Sequence, residues 1–276
     1  MPELPEVETI INDLRPLIEM KTISKLEIYN EKTLKNISKE EFITQVNFQK
    51  IISVSRRAKY LIFELSDYFL VSHLRMEGKW QILDATKKIE NENHILMKML
   101  LNEQEALIFY DFRKFATIDL VDKLELDNFF INKKIGPEPW DIDLEEFYSL
   151  TKKSKRPIKS FILDQKNIAG IGNIYADEIL YASKIHPLSL ANTLPKNKVK
   201  EIVENSVLIL RKSISLGGTS IRTYSSIDNQ KGKYQNELQV HMQQHKNCFD
   251  QKHFVNKIKV NGRGTYYCEG VQKIWN

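Results

Sequence analysis

The chain of 276 residues begins MPELPEVETI, so Pro2, Glu3 and Glu6 stand within about one turn of its start. Methionine aminopeptidase removes a leading Met ahead of a small residue, which would leave Pro2 as a free secondary amine. An α-amino group has an unperturbed pKa of roughly 7.7–8.0. A helix starting at Leu4 or Pro5 points its positive end at that nitrogen and disfavours the ammonium form. A neutral secondary amine attacks a carbonyl-like carbon to give an iminium, and Glu3 and Glu6 are placed to shuttle protons for it. The same residues also satisfy a plain helix start, with Pro in the first turn and acids beside it. The stretch alone leaves both readings open.

Four further constellations follow along the chain. In SRRAKYLIFEL (55–65), Lys59 follows two arginines and opens an apolar strand. An ammonium there is either a solvated strand-end charge or one aimed at a phosphate or a leaving oxygen. In HLRMEGKW (73–80) and FYDFRKFATI (109–118), Met76 and Phe115 offer an apolar wedge and Arg113 a guanidinium. A protein that holds open a gap in stacked bases needs that set, although the strand ends of any β domain have a similar make-up. KNIAGIGNIYADEIL (166–180) runs a glycine-rich turn into a helix with Asn173 near its start. Backbone N–H groups there form a phosphate site, and the spacing is not that of a dinucleotide fingerprint. The tail, 237–272, has the layout of a zinc ribbon. Gln251 and Val271 stand where CxxC pairs need second thiolates. Cys248 and Cys268 are the remaining cysteine ligand candidates, with His241, His245 and His253 nearby. A structural zinc takes four N/S ligands, so a metal-free hairpin is expected. Arg263, between two glycines, is expected at its tip, where an arginine can enter a groove.

These residues need a scaffold of at least two compact units, which 276 residues suit. Residues 4–19 carry Leu4, Val7, Ile10, Ile11, Leu14, Leu17 and Ile18 on one helical stripe, with Pro16 bending or ending its last turn. From 22 to about 122, short β-branched and aromatic runs alternate with polar turns, the pattern of a sandwich or barrel. IGPEPWDID (135–143) breaks the pattern and marks a boundary. Helical spacing follows at 156–164, 173–184 and 195–216, the last stopped by Gly217 and Gly218. Residues 219–236 read as a loop, and 237 onward as short strands.

Charge is distributed unevenly. Residues 151–276 hold 21 Lys/Arg against 9 Asp/Glu, while the first 150 hold 20 against 27. A second half at +12 suits a polyanion, most simply nucleic acid, although Lys is frequent throughout. No apolar run approaches the roughly 18 residues that span a bilayer, and the start is not a signal peptide. Two cysteines are too few for a disulfide framework, so a cytoplasmic location is expected.

In this order, MPELPEVET, RRAKYL, HLRM, RKF, GIGNIYADE, GGTS with TY, and ELQV with GRGTYYC resemble the formamidopyrimidine-DNA glycosylase family, over nearly the whole chain. The resemblance implies a two-domain α+β fold. It has an N-terminal β-sandwich with an N-terminal helix (1–134), a linker and first helix (135–150) and a helix–two-turn–helix domain (151–236). A β-hairpin finger follows (237–276), a degenerate zinc ribbon. The activity implied is a monomeric, cofactor-independent glycosylase and abasic-site lyase acting on damaged double-stranded DNA. Pro2 would be the nucleophile and Glu3 the general acid/base, with Glu6 ordering the site. Lys59 would serve β-elimination and Arg263 δ-elimination. Met76, Arg113 and Phe115 would fill the gap left by the everted base, with Arg113 reading the opposite cytosine. His94, Lys159 and Asn173 would meet the DNA backbone. The loop 217–236, with Ser220, Arg222 and Tyr224, would close over the lesion. Related metal-free fingers hold the hairpin by packing, a role open here to Phe249, Phe254, Tyr266 and Tyr267. Lys114, Phe112 and Arg75 stand where the family often has Arg, Pro and Gly. Two alternatives stay open: an endonuclease VIII-like enzyme for oxidised pyrimidines, and a non-catalytic damage-binding module.

Overall fold

The computed structural model describes residues 1–86, 92–102, 105–219, 232–248 and 251–276. These form two compact units, Met1–Asn132 with Gly217–Gly232, and Lys133–Leu216 with Lys233–Asn276.

In the first unit, helix α1 spans Leu4–Ile18 and buries Leu4, Val7, Ile10, Ile11, Leu14 and Ile18, the stripe expected from their spacing. It ends two residues after Pro16, whose missing N–H and ring cannot support another turn. Strand β1 (Ile23–Ile28) and the short helix α2 (Lys39–Val46) follow. Ser38 caps α2, its hydroxyl accepting from Glu41 N at 3.3 Å. Then come β2 (Ile51–Arg57), β3 (Tyr60–Leu65), β4 (Tyr68–His73), β5 (Lys79–Asp84), β6 (Ile95–Leu101), β7 (Glu105–Tyr110), β8 (Thr117–Asp122) and helix α3 (Leu126–Asn132). Two antiparallel four-stranded sheets result, ordered β1-β6-β7-β5 and β2-β3-β4-β8. One core joins them to α1 and α2, with Val54, Phe63 and Leu70 from one sheet and Leu26, Met99 and Phe109 from the other. Trp80 stacks on Phe109 at 4.3 Å and closes its indole N–H on Ser72 Oγ at 3.1 Å.

The second unit carries α4 (Leu144–Lys152), α5 (Ile158–Ile162), α6 (Asn173–Ala182), α7 (Lys196–Ser215), and the hairpin β9 (Val255–Val260) and β10 (Arg263–Cys268). Helix α7 stops one residue short of Gly217, which has φ +74° as a helix-ending glycine does. The expected α+β architecture is present, with β-sandwich, helical domain and hairpin. Residues 238–248 hold turns rather than the strands expected from their alternation. Their N–H groups at Gln239, Val240 and His241 bond to the Glu178 carboxylate instead of a neighbouring strand.

Candidate active site

At the head of α1 the chain folds a capping box. Glu3 is the N-cap, and its N–H donates to Glu6 Oε2 at 2.9 Å. Both carboxylates are withdrawn from solvent, while Pro2 before them is half-buried. The other Glu6 oxygen accepts both the N–H and the hydroxyl of Thr219, at 2.8 and 2.9 Å. Gly218 brings that backbone in at φ +72°, and a Cβ there would meet Glu6 Oε1 at 3.0 Å. Only glycine takes this φ so close to a carboxylate without strain. Glu6 therefore ties Thr219, 213 positions along the chain, to the chain start.

Lys59 lies in the β2–β3 turn behind the left-handed Ala58 (φ 52°), with Arg57 and Tyr60 paired across the hairpin. It is only 5 % exposed. Arg56, one strand position earlier, pairs with Glu8 of α1 at 2.5 Å, locking this hairpin to the helix that carries Glu3. Tyr60 lies edge-on to His73 at 4.6 Å, and burial pushes its phenol above the usual value.

The residues expected to form the wedge sit on two turns of the same unit. Met76 follows β4, where Arg75 adopts φ 55° and its N–H donates to His73 Nδ1 at 3.0 Å. The common family glycine at this position is accounted for by that left-handed backbone. Arg113 and Phe115 lie on the β7–β8 turn, the guanidinium 4.9 Å from the ring centroid, with Phe115 exposed. His94 packs its ring on Phe112 at 4.4 Å, and its main-chain oxygen accepts from Asp111 N at 2.9 Å. Arg113 and Phe115 thus share one turn with His94 packed beside it through Phe112, while Met76 lies on the turn after β4, the strand paired with β8.

In the second unit, Asn261 (φ 47°) and Gly262 (φ 78°) make the two-residue turn between β9 and β10, the Asn-Gly pair such hairpins favour. Arg263 follows at the tip, exposed as expected. Asn173, at the start of α6, donates from Nδ2 to Gly264 O at 3.0 Å, and its buried Oδ1 has no hydrogen-bond partner among the described residues. Lys159 requires a correction. The resemblance implies a DNA-backbone contact, but the side chain is 0 % exposed. Its ammonium donates to Asp177 Oδ1 at 2.7 Å and Thr265 Oγ1 at 2.8 Å, with Gly264 O at 3.4 Å. The buried Asp177 demands this counter-charge, and its second oxygen meets His241 Nδ1 at 2.7 Å. Lys159 anchors the hairpin.

The finger is also built differently. Cys248 and Cys268 form a disulfide inside a cluster with Tyr181, Val240 and Val255, flanked by Tyr266 and Val271. Sulfurs bonded to each other are not thiolate ligands, and Gln251 and Val271 supply none, so these residues do not fit a tetrahedral zinc site. Among the described residues no group of three or more His, Cys, Asp or Glu is arranged to hold a metal. Of the aromatics expected to pack the finger, Phe254 is exposed and Tyr267 packs edge-on against His186 at 4.5 Å. Tyr266 alone joins the cluster, and Phe249 lies outside the described residues, as do Ser220, Arg222 and Tyr224.

Three acidic residues that the sequence reading passed over organise these sites: Asp111, Asp177 and Glu178. Glu178 is almost fully buried and accepts the N–H groups of Gln239, Val240 and His241 at 2.8–3.0 Å. Burial holds its carboxyl above the ordinary range, against the downward pull of those donors. Two acids in succession on a helix that is otherwise apolar (NIYADEIL) were the available signal.

Comparison with known proteins agrees with this geometry. Residues 1–118 match the formamidopyrimidine-DNA glycosylase N-terminal domain, and residues 135–225 match the H2TH domain of the same enzyme. A formamidopyrimidine-DNA glycosylase of Mycoplasma mobile is 42 % identical over 278 residues, covering 99 % of this chain and all of the relative. Another, from Streptococcus pneumoniae, is 40 % identical over 275 residues, covering 99 % of each. The crystal structure of a Lactococcus lactis FPG variant bound to DNA containing Fapy-dG superimposes with a TM-score of 0.93 at 39 % identity, covering 99 % of this chain and all of that one. With both family domains matched and relatives near 40 % identity over the full length, the chain belongs to the formamidopyrimidine-DNA glycosylase family.

Proposed function

We propose that the chain excises oxidised purines, 8-oxoguanine and formamidopyrimidines, from duplex DNA and then nicks the strand at the same nucleotide. The observation that carries this reading is the head of α1, where two carboxylates withdrawn from solvent stand beside Pro2. Freed by loss of Met1, the Pro2 nitrogen attacks C1′ of the damaged nucleotide. The C1′–N bond forms as the glycosidic bond breaks; the electron pair of that bond leaves with the base, and the proton shed by the newly quaternised nitrogen passes to the departing base, which restores the nitrogen lone pair. Glu3 delivers a proton to the sugar ring oxygen, the C1′–O4′ bond breaks, and the nitrogen lone pair closes the iminium. Removal of a C2′ proton then expels the 3′-phosphate, and a second elimination expels the 5′-phosphate. Lys59 supplies the proton for the first elimination and Arg263 serves the second. Met76 and Phe115 fill the gap left by eversion, which costs a few kcal/mol of unstacking. Arg113 reads the orphaned cytosine, and His94 and Asn173 meet the backbone.

In this reading residues 1–134 are the catalytic domain and 135–150 the linker with the first helix. Residues 151–236 bind DNA, with Ser220, Arg222 and Tyr224 of the loop 217–236 touching the lesion, and 237–276 are the finger. The protein works as a cytoplasmic monomer without structural zinc. The zinc-free finger rests on the Cys248–Cys268 bond and the missing thiolates at Gln251 and Val271. The described helices include none long and apolar enough to cross a membrane.

Borohydride trapping tests the reading. A covalent protein–DNA adduct is expected on 8-oxoguanine:C duplexes, and it disappears when a Lys inserted between Met1 and Pro2 keeps the nitrogen in a peptide bond. No adduct with the native chain would mark a damage-binding module instead. A preference for thymine glycol:A duplexes would mark an enzyme of oxidised pyrimidines.

A further inference from the structure

Asp111 directly follows β7 and is fully buried. Its carboxylate closes on main-chain donors of the turn that follows. Oδ1 accepts from Arg113 N at 2.9 Å, and Oδ2 accepts from Phe115 N at 2.7 Å and Ala116 N at 2.8 Å. The Asp111 carbonyl accepts from Lys114 N at 3.2 Å, and its own N–H holds His94 O. The turn is thus wound around one charged group, with Lys114 forced into the left-handed region at φ 56°. Burying a carboxylate is expensive, and three N–H bonds to its charged form are what make the site tenable. Such a carboxylate tolerates little displacement, because each donor lost leaves charge unsatisfied in a water-poor place.

The two N–H groups nearest the function belong to Arg113 and Phe115 themselves. One oxygen fixes the backbone of the reading arginine and the other that of the wedge, and the guanidinium lies 4.9 Å from the ring centroid. An orphaned cytosine offers two adjacent acceptors, O2 and N3, to a guanidinium fork. Adenine in its place offers N1 beside an N6 donor, which repels one arm of the fork. Telling them apart requires the fork to be held within a fraction of an ångström. We infer that Asp111 is the positioning residue for opposite-base selection: its carboxylate, which touches no DNA, fixes Arg113 and Phe115 so that only cytosine is accepted opposite the lesion. The inference rests on the proposed reading of Arg113 and Phe115.

Asp111→Asn keeps the shape but turns an amide donor toward main-chain donors. Single-turnover excision is measured with 8-oxoguanine opposite C and opposite A, beside borohydride trapping on a single-stranded abasic oligonucleotide, which has no opposite base to read. The C-over-A preference is expected to fall about tenfold, the scale of one base-edge contact, with single-strand trapping retained. Asp111→Glu keeps the charge but moves it by one methylene; it is expected to lose the same preference, and it serves in place of Asn if the Asn chain does not fold. An unchanged preference in either folded variant overturns the inference, and so does a parallel loss on all substrates. Failure of the native chain to trap single-stranded abasic DNA would instead overturn the proposed chemistry.

Discussion

Replacing Lys159 by Met isolates the electrostatic anchor of the hairpin. Met preserves much of the side-chain volume, so the cavity contribution is small and the loss is that of the charge. Lys159 and Asp177 are both 0 % exposed at 2.7 Å, and without the ammonium the carboxylate keeps only His241 Nδ1 among these partners. Removing one partner of a buried pair costs about 3–5 kcal/mol, because the other is left charged in a low-dielectric place. The lost bonds to Thr265 Oγ1 and Gly264 O fall in the same range. A central value of about 4 kcal/mol corresponds to nearly a thousandfold increase in the open population. Native-state amide exchange reads this directly: protection of the β9–β10 amides is expected to fall by two to three orders of magnitude. The compensating change Asp177→Leu, added to Lys159→Met, removes the stranded charge and is expected to restore at least half of the loss, since apolar pairs often replace buried ion pairs at little cost. A fall of less than about fivefold in the single variant, or a double variant no better protected than the single, would refute the reasoning.

Two further predictions concern the second unit. The disulfide closes a loop with a sequence separation of 20, so its reduction is expected to destabilise the finger by about 3 kcal/mol on the chain-entropy account, whereas a chelator leaves stability and excision unchanged. Urea unfolding with each reagent checks this, and a chelator effect equal to the reductant's would contradict it. His186 has its imidazole held below the ordinary value of 6.5 by burial, with Glu269 pulling it partly back up. The unfolded chain therefore takes up the proton first, and stability, full above about pH 6.5, is lost as pH falls through the folded value. Stability measured from about pH 7 to about 5 should slope downward in the native chain and flatten in His186→Gln; equal slopes would show the titration lies elsewhere.

What could be read from the residues alone follows the range of the interactions. The α1 stripe, the hairpin ahead of Arg263 and the glycine stop at Gly217 depend on neighbours a few positions away, and the structure has all three. Helix α2 was absorbed into a strand-rich stretch, although Ser38 and Glu41 are spaced as a cap. The acids mark the limit. Asp177 and Glu178 lie in the helical stretch 173–184, and their partners His241 and the N–H groups of 239–241 stand more than 60 residues away. Lys159 is placed on the DNA backbone by the resemblance alone, and only the fold shows Asp177, 18 positions along the chain, taking its charge.

The left-handed residues join these observations to the proposed reaction. Arg75 and Lys114, one on each wedge turn, take positive φ without being glycine, and each turn is braced by a side chain accepting main-chain N–H groups, His73 Nδ1 in one and the Asp111 carboxylate in the other. A side chain in this region costs of order 1 kcal/mol or more, sustained only where the surroundings over-determine the backbone. Arginine and lysine at these positions add cationic charge beside Met76 and Phe115, the place where the proposed reaction brings DNA phosphates. The braces permit that charge: with His73 and Asp111 holding the turns, the backbone no longer needs glycine, and the positions become free to serve binding.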